Sequence, residues 1–169
     1  MSQWFNEDGL RVLFEGEQAR PDNISPAIAV HFGPKSVMVV DVNYDDLPEE
    51  TTDRDNDGTV DGWSGADPYI PAGSFITAAY IIVETAFAGG TSYNFGLSQL
   101  DGTVIDADGI DASVATAALA ANNAVVCDGA LVAGTATIGA NDAYVKVAAT
   151  GAFTAGKAKL VIEYIPVTV

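Results

Sequence analysis

Three aspartates at alternate positions, with a fourth four residues on, give the chain its sharpest chemical feature. They stand in Asp53-Arg54-Asp55-Asn56-Asp57-Gly58-Thr59-Val60-Asp61. Carboxylates at loop positions 1, 3, 5 and 9, with glycine at position 6, suit a hard cation that takes six to eight oxygens. Gly58 permits the sharp bend, and Thr59 offers its backbone carbonyl. The ligand set predicted for a structural Ca²⁺ is therefore Asp53, Asp55, Asp57, Thr59 and Asp61. The same residues also read as a solvated acidic loop, since Asp-Gly clusters make turns without any ion. Without a cation, the carboxylates repel one another.

The pattern resembles the first nine positions of an EF-hand-type loop, and also dockerin and thrombospondin type 3 repeats. It departs from them at position 12, where Ser64 stands in place of a bidentate glutamate. Asp61 or Asp67 is the available substitute. No amphipathic helix flanks the loop, so an EF-hand proper is not expected. A second group, Asp106, Asp108 and Asp111, reads either as a smaller cation site or as a turn with Asp111 as a helix N-cap.

Other catalytic constellations are missing from the sequence. There is no P-loop, dinucleotide-binding glycine fingerprint, HExxH, CxxC or GxSxG. One histidine, His31, and one cysteine, Cys127, leave little for a nucleophilic triad. Acid pairs such as Asp45-Asp46 and Glu49-Glu50 sit in a charged loop without the apolar setting that raises a carboxyl pKa. The expectation is that the chain is not an enzyme.

The elements that carry these residues read as strands. Of 169 residues, 49% are hydrophobic, with many Gly and Ala and few Leu, which favours strands and turns over helices. Phe75–Phe87 is a long run rich in β-branched and aromatic residues. Both of its faces are largely apolar, so it is predicted as a central strand packed on both sides. Pro71 and Gly73 make a turn before it, and Gly89-Gly90 breaks it. Tyr93, Phe95 and Leu97 then alternate with polar or small residues, the mark of a half-buried strand. Further strands are predicted at 12–14, 27–32, 36–43, 104–105, 125–126, 135–138, 144–149 and 157–165. The Ala-rich segment 112–121 has helical spacing and is predicted as the one short helix. The fold class is mainly β: an antiparallel β-sandwich, jelly-roll-like, with one short helix and a long acidic loop. Residues 1–26 read as an N-terminal arm or docking segment. Residues 27–169 read as a single β-rich domain, with the acidic loop at 44–68.

The net charge is −16, and it is uneven. Residues 1–67 hold 15 acids against 4 bases, and the remainder holds 8 against 3. A nucleic-acid partner is not expected, because phosphates need cationic contacts. Attraction to an anionic membrane is disfavoured for the same reason. No apolar segment reaches transmembrane length, and no Sec signal is seen at the N-terminus. With a single cysteine no intramolecular disulfide forms, and the neighbours of Cys127 mark it as a small buried hydrophobe. Trp4 and Phe5, near the terminus, read either as docking aromatics or as residues packed on their own domain.

A resemblance attaches to residues 70–167. The phrase IPAG..IT.A...V.TAFAGG.S....G....DGTVIDADGID, closed by GAFTAGKAKLVIEYIPV, is similar to small tailed-phage virion proteins found beside the major capsid protein. These are the head decoration or cement proteins. The resemblance implies a structural virion protein that binds the outside of a bacteriophage capsid and stabilises it. It implies the major capsid protein as partner, a homotrimer at three-fold positions, and assembly in the host cytoplasm. It carries over no binding residues. From the residues themselves, the contact candidates are Trp4, Phe5, Trp63 and the acidic loop. The alternative is a Ca²⁺-stiffened carbohydrate-binding or adhesion module, with Trp63, Tyr69 and Tyr93 stacking on sugar rings. A further alternative is another phage head or tail component.

Overall fold

Strand-forming residues punctuated by glycine fold here into antiparallel ribbons. The computed structural model describes residues 3–5, 11–13, 35–49, 62–63 and 67–166. The chain divides into two compact units, Met1–Pro34 and Lys35–Val169. In the first, β1 (Gln3–Phe5) pairs antiparallel with β2 (Arg11–Leu13), Trp4 facing Val12 in register.

Among the described residues the second unit holds eight strands in two antiparallel sheets. They are β3 (Ser36–Asn43), β4 (Tyr69–Ile70), β5 (Phe75–Gly89), β6 (Ser92–Ser98), β7 (Val104–Ala115), β8 (Ala124–Val126), β9 (Ala143–Thr150) and β10 (Phe153–Ile165). One sheet has the order β3-β10-β5-β8, the other β4-β9-β6-β7. Their inner faces share one core, as expected of a sandwich. The first sheet contributes Met38, Val42, Ala79, Ile81, Val83, Ala158, Leu160 and Ile162, all buried. The second contributes Tyr93, Phe95, Leu97, Val145 and Val147. At one end, Tyr93 stacks on Phe153 with ring centroids 4.1 Å apart, and Phe87 meets Tyr93 edge-on at 5.2 Å.

The sandwich class, the Pro71–Gly73 turn and the 36–43 strand match the sequence reading. Gly73 has φ 73°, the left-handed region that glycine enters freely. Three expectations are corrected. Residues 112–121 are not a helix. Val114 pairs with Tyr93 and Ala115 with Ser92, and Asn94 Oδ1 accepts the Ser113 N–H at 2.7 Å. Past them only a 3₁₀ turn, Thr116–Ala118, remains. The Asn122 N–H then donates to the Val83 carbonyl, and the Phe87 N–H donates to that of Leu119. The backbone groups that would build helix bonds are bound to β5 and β6, and tertiary pairing overrides alanine propensity. Asp111 is accordingly a strand residue, not an N-cap.

The segment 135–138 is a loop, not a strand. Ile138 is its single buried anchor, with its N–H donating to the Ser74 carbonyl, and residues 135–137 are exposed. Third, β5 is central but is not packed on both sides. A bulge near Ala78 turns Ile76 and Ala79 both inward, and from there Ile81, Val83 and Phe87 face the core. The opposite face stays open. The predicted strand at 27–32 and His31 lie outside the described residues.

Candidate functional site

Strand pairing aligns the outward side chains of the β3-β10-β5-β8 sheet into rows. Val39, Val161, Tyr80 and Val126 are in register and cross all four strands. Beside this row lie Val37 and Ala78 on one side and Ile82 on the other. Exposure is 70% for Val126, 60% for Val37, 51% for Val39 and 46% for Ile82. Scattered exposed aliphatics are ordinary, but a contiguous band across a sheet marks an interaction surface.

Charges frame the band, and each is met. Lys159 Nζ lies 2.5 Å from Asp41 Oδ1 and 3.8 Å from Glu84 Oε1. Lys157 Nζ lies 3.4 Å from Glu84 Oε2, and Lys35 Nζ lies 3.0 Å from Glu163 Oε2. The hydrogen bond from Lys159, together with its charge, holds the Asp41 carboxyl below its ordinary range. The bond to Asp41 correspondingly raises Lys159. Such exposed pairs add little stability. Their effect is on the character of the surface: three lysines against three carboxylates leave it neutral on a chain of net charge −16.

Beside β3, a cleft of about 390 Å³ is lined by Val39, Leu47, Pro48, Trp63 and Val145, with Asp46, Glu49 and Asp67 at its rim. Trp63 is buried, stacked on Tyr144 at 5.6 Å. This corrects its place among the contact candidates: the indole ring packs against its own domain. Tyr93 is fully buried as well, so of the three aromatics predicted to hold sugar rings only Tyr69 is exposed. The sugar-stacking platform is not assembled.

The Asp53–Asp61 loop lies outside the described residues, as do the side chains of Trp4 and Phe5. Among the described residues no group of three or more His, Cys, Asp or Glu side chains is placed to hold a metal ion. This includes Asp106, Asp108 and Asp111. Asp111 instead lies buried beside Cys127, whose thiol donates a hydrogen bond to it. Burial, followed by the charge of Asp128, raises the Asp111 carboxyl, and burial pushes the Cys127 thiol up to about 12. Cys127 is thus buried, as expected from its neighbours. The raised Asp111 gives a pH prediction. A carboxyl raised on folding adds stability below its unfolded pKa and loses it as pH rises through the folded value. Asp111→Asn will therefore raise the melting temperature at pH 7 and leave it unchanged near pH 3. Equal melting curves at both pH values would show that Asp111 carries no such penalty.

The neutral band was missed because sequence alternation reports two apolar faces without saying which is covered. The register of β10 against β3 and β5 supplies that information. Among the described residues no helix is long and apolar enough to cross a membrane.

Fold and face together define an antiparallel β-sandwich with one exposed apolar sheet face. No protein-family model matches the chain, and no curated protein matches it. A solved structure that resembles it is a chain of the cyanophage Pam1 capsid asymmetric unit. The two share 16% identity with a TM-score of 0.43, over 90% of this chain and 98% of that one.

Proposed function

We propose that this chain is a structural virion protein that binds the outside of a bacteriophage capsid and stabilises it, a decoration or cement protein. The observation that carries the reading is the open, apolar, charge-balanced sheet face. A surface of this kind serves assembly rather than chemistry. The sequence resemblance over residues 70–167 supports a phage capsid as the assembly. In this reading the chain is not an enzyme and engages neither nucleic acid nor membrane. It forms a homotrimer on the virion surface, assembled in the host cytoplasm, with the major capsid protein as its partner. The acid-rich first half, with Trp4 and Phe5, docks on the shell by charge and by area burial at subunit junctions. Weak contacts repeated over many copies reinforce the shell.

The test is co-sedimentation with mature capsids that lack the protein. Saturable binding at a copy number set by the shell lattice is expected. Protein left at the top of the gradient would remove the reading.

A structural Ca²⁺ in the loop of Asp53, Asp55, Asp57, Thr59 and Asp61 belongs to the same proposal. Calorimetric titration of Ca²⁺ is expected to show saturable heat in the wild type and at least a ten-fold weaker affinity in Asp55→Ala. A wild-type trace no larger than dilution would sink the calcium site.

A further inference from the structure

We propose that the outer face of the β3-β10-β5-β8 sheet is the contact through which copies of this chain bind one another. The contact pairs two copies face to face about a two-fold axis; it is distinct from the homotrimer of the reading above and rests on neither that trimer nor the capsid part.

Charge argues for this occupant. Two copies carrying −16 each repel across most of their surfaces. The sheet face is where that repulsion is absent, since Lys35, Lys157 and Lys159 are matched by Glu163, Glu84 and Asp41. These charges already hold one another, so a strongly basic partner gains little grip here. A nucleic acid or anionic membrane finds a neutral apolar band set in an acidic molecule. A second copy brings an equally neutral and equally apolar band.

Shape argues the same way. The row of Val39, Val161, Tyr80 and Val126 is in register across four strands and contains no charge. Pleated faces of this kind pack against each other about 10 Å apart, as the two sheets of a sandwich do. Strand spacing and rise give three strands of about 25 Å and a short fourth, β8, of about 10 Å, on the order of 400 Å² per copy. Two such faces bury about 800 Å², the size of a weak, transient contact. The association is therefore reversible and depends on concentration.

Sedimentation velocity of the full chain across a range of about 1–100 µM tests this, with Val39→Lys and Val126→Lys as variants. The wild type is expected to sediment as a multiple of its 17.4 kDa mass at the upper end. Each lysine variant should need at least a ten-fold higher concentration to associate, with circular dichroism and melting unchanged. Val126 is 70% exposed on a three-residue edge strand, so its variant keeps the test valid should Val39→Lys misfold. A wild type of single-chain mass throughout would overturn the inference, and would indicate a face covered from within the chain or by another protein. Folded variants that associate like the wild type would overturn it equally. Because no capsid is present in this assay, failure here leaves the co-sedimentation result standing, and the reverse also holds.

Discussion

Gly129→Val will destabilise the second unit by about 3–5 kcal/mol, a large share of the roughly 5–15 kcal/mol that holds a typical domain folded. A Cβ at Gly129 would lie 2.5 Å from the Gly109 carbonyl oxygen and 2.5 Å from the Ile110 carbonyl carbon. Both are backbone atoms, so no side-chain rotation relieves the clash. The backbone there is also tied. The Gly129 N–H donates to the Ile110 carbonyl at 2.9 Å, and the Leu131 N–H to that of Gly109 at 2.8 Å. Making room means breaking these bonds or lifting β7 away from β6. Urea denaturation measures the loss. Ala130→Val, at the exposed neighbouring position, is expected to change stability by under about 0.5 kcal/mol. A Gly129→Val midpoint equal to that of the wild type would mean that the close approach is not present in solution.

Leu160→Ala is expected to cost about 3–4 kcal/mol, while Val161→Ala, one residue along, costs under about 1 kcal/mol. Leu160 is fully buried on β10, level with Val40 on one side and Ile81 on the other. Truncating it leaves a cavity at the centre of the first sheet. Val161 points the opposite way, into the open row. Measured at low concentration, where copies are apart, the contrast tests which face of β10 is the core. Equal losses at both positions would show that the outer face is covered within a single chain.

Much of this fold was legible in the residues. Tyr93, Phe95 and Leu97 alternate in the sequence and are the buried side chains of β6. Ser36–Asn43 was bounded correctly because its valines alternate and turn residues flank it. What was not legible depended on partners distant in sequence. Residues 112–121 have helical spacing, but the side chain of Asn94 and the backbones of Thr91 and Phe87 take their hydrogen bonds. The two apolar faces of β5 looked alike, and only pairing decides that Ile81 goes in and Ile82 stays out. Trp63 beside an acidic loop read as a contact residue. Its packing against Tyr144, 81 positions further along the chain, could not be seen from local pattern.

The place of β10 sets the order of events during synthesis. β10, the last strand among the described residues, lies between β3 and β5, and Lys157 pairs with Asn43. Until residues 153–165 have left the ribosome, β3 has no neighbour in its sheet and the long β5 lacks one of its two. The first sheet therefore closes only after translation has passed residue 165, through contacts of high sequence separation, the kind that form slowly. In that interval the same valines and isoleucines that later fill the core are open to solvent. A nascent chain of this protein is for that time a candidate for chaperone capture and for misassembly with its neighbours on a polysome.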